Sequence, residues 1–172
     1  KRQDARSIGK FKDTEVTDEI LKELYELTSM GPTAFNAQPA RFIFLKSPES
    51  KEKLRPFLME GNIEKTMKAP VTVIVSTDYD FYHMFDKTFP IADIKPMFVN
   101  NEDLIKDTAL RNSVLAGGYF IMAARALGLD VGAMSGFNNA ELDKEFFAGT
   151  NIKSNFLINL GYGDYTDLYP RL

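Results

Sequence analysis

The side chains with chemical potential fall in small polar clusters rather than in one compact motif. Arg6-Ser7 pairs a guanidinium with a hydroxyl, and a guanidinium fork suits phosphate oxygens. A solvated basic terminus would look the same, and the two residues alone favour it. Thr33 and Asn36 lie in the loop GPTAFNAQPA, residues 31–40, where a hydroxyl and an amide can face a heterocycle. In isolation, turn chemistry after a helix explains them better. Asn62 and Lys65 stand three apart, the spacing of one helical turn. An amide beside an ammonium can hold a ring carbonyl and stabilise negative charge on it. An exposed polar turn is the plainer alternative. Met134-Ser135-Gly136-Phe137 offers either a backbone platform or a strand-to-helix loop. His83, between Tyr82 and Met84, reads as a surface or satisfied histidine rather than a catalyst.

Several chemistries are absent. The chain has 0 cysteines, which removes disulfides, thiolate nucleophiles, cysteine-ligated zinc and iron–sulfur clusters. A single histidine leaves little room for a multi-histidine metal site, so no metal is expected. Ser135 fails the nucleophile-elbow pattern because Ala133 stands two residues before it. Gly161-Tyr162-Gly163 lacks a third glycine and a following helix, so a dinucleotide fingerprint is missing, as is a P-loop. A Schiff-base lysine stays open. With 21 basic against 24 acidic residues, the net charge of −3 gives no argument for nucleic acid. No stretch of about 18 apolar residues suggests a membrane span. The opening Lys1-Arg2-Gln3-Asp4 carries no apolar run, so no signal peptide is expected. Together with the missing cysteines, this points to the cytoplasm.

These clusters need a scaffold. A chain of 172 residues, 44% hydrophobic and 26% charged, is expected to form one globular domain over 1–172. It can bury roughly 70% of its unfolded surface. Thr17 is a predicted N-cap for a helix carried by Ile20, Leu21, Leu24, Leu27 and Thr28 and ended by Gly31-Pro32. Residues 41–45 (RFIFL) predict a strand. Ser47-Pro48 starts a second helix, Pro56 interrupts it, and Gly61-Asn62 reads as the next stop. Residues 70–77 (PVTVIVST) predict a central strand. The aromatic-rich stretch 78–100 shows little helical period and reads as a mobile lid or covering loop. The longest helix is expected over about 102–127, capped by Asn101 and stopped by Gly128. Val114 to Leu127 is apolar or small nearly all round, which predicts burial on every side, in the centre or against a second subunit. Gly117-Gly118 would admit a close backbone. A short helix over 139–147 and a strand over 155–160 complete an α+β or three-layer α/β/α domain.

In order and spacing together, the clusters resemble the FMN-dependent nitroreductase family. The likeness is carried by ARS (5–7), YELTSMGPTAFNAQPARFIF (25–44), EGNIEKTMKAPVTVIV (60–75), ALRNSVLAGGYFIMAARALGLDVGAMSGF (109–137) and KSNFLINLGYGD (153–164). Within the family, they are most similar to the malonic semialdehyde reductase (3-hydroxypropanoate dehydrogenase) branch. The resemblance implies a mixed central sheet wrapped by helices in an intertwined homodimer, with FMN at the interface. It implies that Arg6 and Ser7 bind the FMN phosphate, and that Pro32, Thr33 and Asn36 reach FMN from the partner subunit. Asn62 and Lys65 match the pyrimidine-edge pair, Ser135 and Gly136 the loop beside the flavin ring, and Arg171 a C-terminal phosphate contact. Three departures weaken the phosphate-site assignment more than the family resemblance. Gly9 stands where many members carry a second basic residue, Ala40 follows Gln38-Pro39 where many carry Trp, and the C-terminal basic segment is short.

The implied activity is ping-pong transfer of hydride from NADH or NADPH through flavin N5 to a small aldehyde or nitro acceptor. The flavin carries the hydride, so no catalytic acid or base is implied; Lys65 acts as an electrostatic stabiliser. A semialdehyde acid would want a cation near the flavin, for which Arg111 is a guess from its place on the long helix. A flavin store or sensor without turnover is the alternative, and a protein that has lost FMN a third.

Overall fold

The computed structural model describes residues 5–166 and 168. At its centre the run VTVIVSTD forms β2 (Val71–Asp78), buried along its length up to Asp78. Alternation of its side chains splits the core in two. Val71, Val73 and Val75 pack with Leu24, Phe120, Ala124, Val131, Ile158 and Leu160 on one face. Ile74 packs with Leu45, Leu54, Phe137, Leu142 and Leu157 on the other. Helices α1 (Asp18–Ser29) and α5 (Glu102–Ala126) cover the first face. Helices α2 (Pro48–Leu54) and α6 (Asn139–Phe146) cover the second, with α3 (Glu60–Lys68) beside them.

Four strands pair antiparallel in the order β1 (Ala40–Leu45), β2, β4 (Ile152–Gly161), β3 (Asp130–Met134). The sheet of named strands is therefore antiparallel rather than the mixed sheet the resemblance implies; outside it, an isolated parallel bridge, Ser7–Val131, lays the N-terminal segment along the β3 edge. The expected α+β architecture is present. A bulge between Val75 and Ser76 places Phe156 opposite Val75 but Ser154 opposite Ser76.

Four further details differ from the sequence reading. Gly61-Asn62 does not stop a helix but lies in the first turn of α3. The five-residue β3 was not foreseen; it contains Gly132, where a Cβ would lie 2.2 Å from the Ile8 carbonyl oxygen. Residues 78–100 form short 3-10 turns and α4 (Phe85–Thr88) rather than a loose lid. Phe81, Phe85 and Phe98 there make a third core with Ala37, Ile94 and Ala109. Phe81 meets both other rings edge-on, Phe98 at 5.4 Å and 83° and Phe85 at 5.9 Å and 89°.

The fourth concerns α5. One face is buried through Ala109, Ser113, Ala116, Gly117, Phe120 and Ala124. Leu110, Val114, Leu115 and Met122 remain exposed, so this chain alone does not bury α5 on every side. Gly117 admits the Phe156 ring, 2.4 Å from a would-be Cβ, rather than a backbone. Gly118 opens onto free space.

Candidate flavin site

The start of α3 is stitched to the loop after β3. Leu58 and Phe137 form an antiparallel bridge. The Met59 N–H donates to the Gly136 carbonyl over 3.0 Å, and the Asn138 N–H to the Phe57 carbonyl over 2.7 Å. This ladder brings Asn62 to Gly136, whose carbonyl accepts from Asn62 Nδ2 over 2.8 Å. A Cβ at Gly136 would meet Asn62 Nδ2 at 2.4 Å, so the close approach requires glycine. The Asn62 carbonyl oxygen keeps its lone pairs for another donor.

Lys65 lies one turn further along α3, half-buried. Among the described residues its ammonium makes no hydrogen bond or ion pair. It shares a hollow of about 400 Å³ with Gly9, Lys10, Phe11, Gly61, Glu64, Lys68 and Asp164. Lys68 is neutralised there by Glu64 at 2.6 Å. Lys10 is a further cation of this hollow, one that sequence reasoning did not single out. The isolated antiparallel bridge of Phe11 with Gly163 carries it to this hollow.

Ser7 stands exposed beside β3, held by the Val131 bridge and the Ile8 N–H, which donates to the Val131 carbonyl over 2.9 Å. Arg6 is half-buried, and its Nη1 donates to the Ala5 carbonyl over 3.2 Å. Ser135, at the end of β3, is exposed and anchors the turn through its carbonyl, which accepts from the Phe137 N–H. Arg6, Ser7, Asn62, Lys65, Ser135 and Gly136 thus gather around the β3 edge and the start of α3.

Pro32, Thr33 and Asn36 do not join them. They precede β1, at the opposite edge of the sheet. Three strand spacings separate the two edges, roughly 14 Å. Their loop is held in a strained shape, with Phe35, Asn36 and Gln38 at φ of 52°, 50° and 43°. Its supports come both from within the loop and from distant parts of the chain. Asn112 of α5 accepts from the Ala34 N–H at 2.9 Å, and Tyr119 Oη donates to the Pro32 carbonyl at 2.9 Å. Gln38 Nε2 donates to Asn36 Oδ1 at 2.9 Å, and Asn36 Nδ2 to the Thr88 carbonyl at 2.7 Å. Gly31 lets the Tyr119 ring pack against the backbone. These anchors were missed; a buried asparagine on the inner face of a helix was their only signal.

Arg171 lies outside the described residues. Arg111 is exposed and grips Asp107 with one nitrogen at 2.9 and 2.7 Å, so the cation guessed for an acidic acceptor is already paired. A second hollow of about 490 Å³, lined by Tyr79, Tyr82, Lys106 and Lys153 among others, contains none of the predicted site residues. Among the described residues no cluster of metal-ligating side chains occurs, and no helix is long and apolar enough to cross a membrane.

Comparison with known proteins gives consistent matches. The family model described as the nitroreductase family matches residues 3–162. A Burkholderia lata protein, provisionally named NADH dehydrogenase/NAD(P)H nitroreductase, is 56% identical over 167 residues, covering 97% of this chain and 86% of the relative. A Stenotrophomonas maltophilia protein of the same provisional name is 54% identical over 168 residues, covering 98% of this chain and 86% of the relative. Among solved structures, a provisionally named nitroreductase from Exiguobacterium sibiricum in complex with FMN superposes with a TM-score of 0.85 at 21% identity, covering 98% and 88% of the two chains.

Proposed function

This chain belongs to the nitroreductase family, an oxidoreductase family, and on that premise we propose that it is an FMN-dependent NAD(P)H oxidoreductase whose site two copies complete. The observation that carries the proposal is the division of the site. One edge of the sheet holds Arg6, Ser7, Asn62, Lys65, Ser135 and Gly136, and the other holds Pro32, Thr33 and Asn36. Between them α5 exposes Leu110, Val114, Leu115 and Met122, an apolar face suited to a second copy of the chain.

The residues present fit FMN. Gly136 leaves a cradle that a Cβ would fill, Asn62 has an unused acceptor, and Lys65 has a charge without a partner among the described residues. When bound, FMN supplies the centre that takes hydride from NAD(P)H and passes the electron pair to an acceptor. Arg6 and Ser7 would hold the phosphate, and Lys10, which lines the hollow shared with Lys65, would supply the charge that Gly9 lacks. The Asn62 carbonyl oxygen accepts from a ring N–H. The Lys65 ammonium would stabilise negative charge on the bound group electrostatically, with no proton transferred. The Ser135-Gly136 backbone would border the ring, and Pro32, Thr33 and Asn36 of a second copy would complete the site.

The acceptor we infer is a small aldehyde of the malonic semialdehyde kind or a nitro compound, on the strength of the segment likeness quoted above. Arg111 is not its anchor while Asp107 holds it. The test is the visible spectrum of the purified protein, followed by anaerobic addition of NADH and of NADPH. A yellow protein bleached by either donor and reoxidised by one of these acceptors is expected. A colourless protein that takes up no added FMN overturns the proposal. A yellow protein bleached by neither donor would leave a flavin carrier without turnover.

A further inference from the structure

Beneath the candidate site runs a chain of polar side chains within otherwise apolar packing. Thr72 Oγ1 of β2 donates to Asn159 Oδ1 of β4 over 2.9 Å. Asn159 Nδ2 donates to Thr66 Oγ1 of α3 over 3.3 Å, and that hydroxyl points its own proton at Met134 Sδ of β3, 3.6 Å away. Thr66, Thr72 and Asn159 are fully buried. Apolar side chains of similar size would fill this space at comparable stability, because a buried hydrogen bond largely offsets its own desolvation. What apolar packing lacks is direction.

The direction matters because of what lies next along the chain. Thr66 follows Lys65, and Met134 precedes Ser135. Asn62 and Thr66 are four residues apart, on one face of α3. The helix is therefore tied at two points one turn apart, by Asn62 to Gly136 and by Thr66 to Asn159. One tie leaves a helix free to roll about its axis; two fix the roll, and with it the direction of Lys65. We propose that Asn159 is a positioning residue that sets, through Thr66, where the Lys65 ammonium stands relative to the Ser135-Gly136 loop. The inference rests on the flavin reading for its consequence, but the positioning itself does not need flavin.

The test uses Asn159→Leu, Thr66→Val and Thr66→Ser in the full chain, each also in a Lys65→Met background. Asn159→Leu and Thr66→Val are expected to lower the midpoint potential of bound FMN in the direction that Lys65→Met does. They should weaken FMN binding by roughly tenfold, the loss of one directed charge contact. Neither should change the potential further once Lys65 is Met, whereas a merely structural loss would add to it. Thr66→Ser keeps the hydroxyl and should restore wild-type values. In the flavin-free protein, the Lys65 ε-methylene resonance should move in Asn159→Leu and stay in place in Thr66→Ser. An unmoved resonance and potential in Asn159→Leu, or an additive effect with Lys65→Met, overturns the inference. If Asn159→Leu does not fold, the Thr66 pair decides by the same readings. A wild-type protein that binds no FMN would sink the flavin reading while the resonance still judged the positioning.

Discussion

Asn62 and Gly136, 74 residues apart in sequence, meet through a 2.8 Å hydrogen bond that joins the first turn of α3 to the loop after β3. The contact uses the missing side chain of the glycine, since a Cβ there would lie 2.4 Å from Asn62 Nδ2. Gly136→Ala should leave the fold intact, because the obstructed atom is the end of a side chain that can swing away. It should cost the hydrogen bond, about 1 kcal/mol, and so weaken FMN binding by roughly fivefold to tenfold. Flavin titration beside a circular dichroism melt checks this. An unchanged dissociation constant would separate Gly136 from the site.

Lys65 is half-buried and makes no ion pair among the described residues, so its removal should barely touch stability. A lysine retained without a structural partner suits a charge aimed at a ligand. Lys65→Met should fold with a melting temperature close to wild type and reduce turnover with NADH by about tenfold to a hundredfold, the scale of one lost electrostatic contact. Stopped-flow bleaching of the flavin reads this directly. A large drop in melting temperature with normal bleaching would assign Lys65 to the fold instead.

Gly31 and Tyr119 make a second glycine-dependent contact. A Cβ on Gly31 would sit inside the Tyr119 ring, 2.1 Å from Cδ2. Unlike the end of the Asn62 side chain, this ring is pinned by its hydroxyl on the Pro32 carbonyl. Gly31→Ala should destabilise by about 1–3 kcal/mol, the cost of overpacking. Tyr119→Phe should lose only about 1 kcal/mol, the hydroxyl's bond. Urea unfolding of both variants tests the order; a Tyr119→Phe loss as large as that of Gly31→Ala would reverse the argument.

The exposed apolar side chains of α5 predict an assembly. Leu115→Glu places a charge among Leu110, Val114 and Met122. If a second copy covers this face, burying that unpaired charge is unfavourable. The variant should sediment as a monomer and lose bound flavin, since Pro32, Thr33 and Asn36 would no longer reach it. An unchanged dimer would place the interface elsewhere.

What could be read from the sequence was what local chemistry decides. The Thr17 cap, the apolar run of β2 and the three-residue step from Asn62 to Lys65 each act within one element. The parts that were not legible depend on distant partners. The five residues of β3 become a strand because β4 pairs along one side and the Ser7–Ile8 segment lies along the other. The aromatics of 78–100 have no helical period, and they order by packing on Ala37 and Ala109. The left-handed residues of the Pro32 loop are held by Asn112 and Tyr119, about 80 positions away, which no local pattern announces. Arg111 was visible as a cation; that Asp107 neutralises it is a matter of helical spacing, four residues apart.

Lys51 offers a test by pH. This α2 lysine is buried, and its Nζ donates to the carbonyl of Ala69, the residue that caps the end of α3. Burial holds its ammonium below the ordinary lysine value of 10.5. The unfolded chain keeps the ordinary value, so between the lowered value and 10.5 the unfolded state binds more protons. Wild-type stability should therefore gain from this residue as pH rises through that window. Below the window both states are protonated and the contribution is flat. Lys51→Met loses the bond to Ala69 at every pH, because a neutral amine donates as an ammonium does, but it has no proton to shed. The stability of wild type relative to Lys51→Met should thus be constant below that window and grow towards pH 10.5. Urea midpoints for both proteins across that range give the difference directly. A difference that stays flat would mean the buried lysine titrates as it does in water, and one that shrinks would reverse the sign.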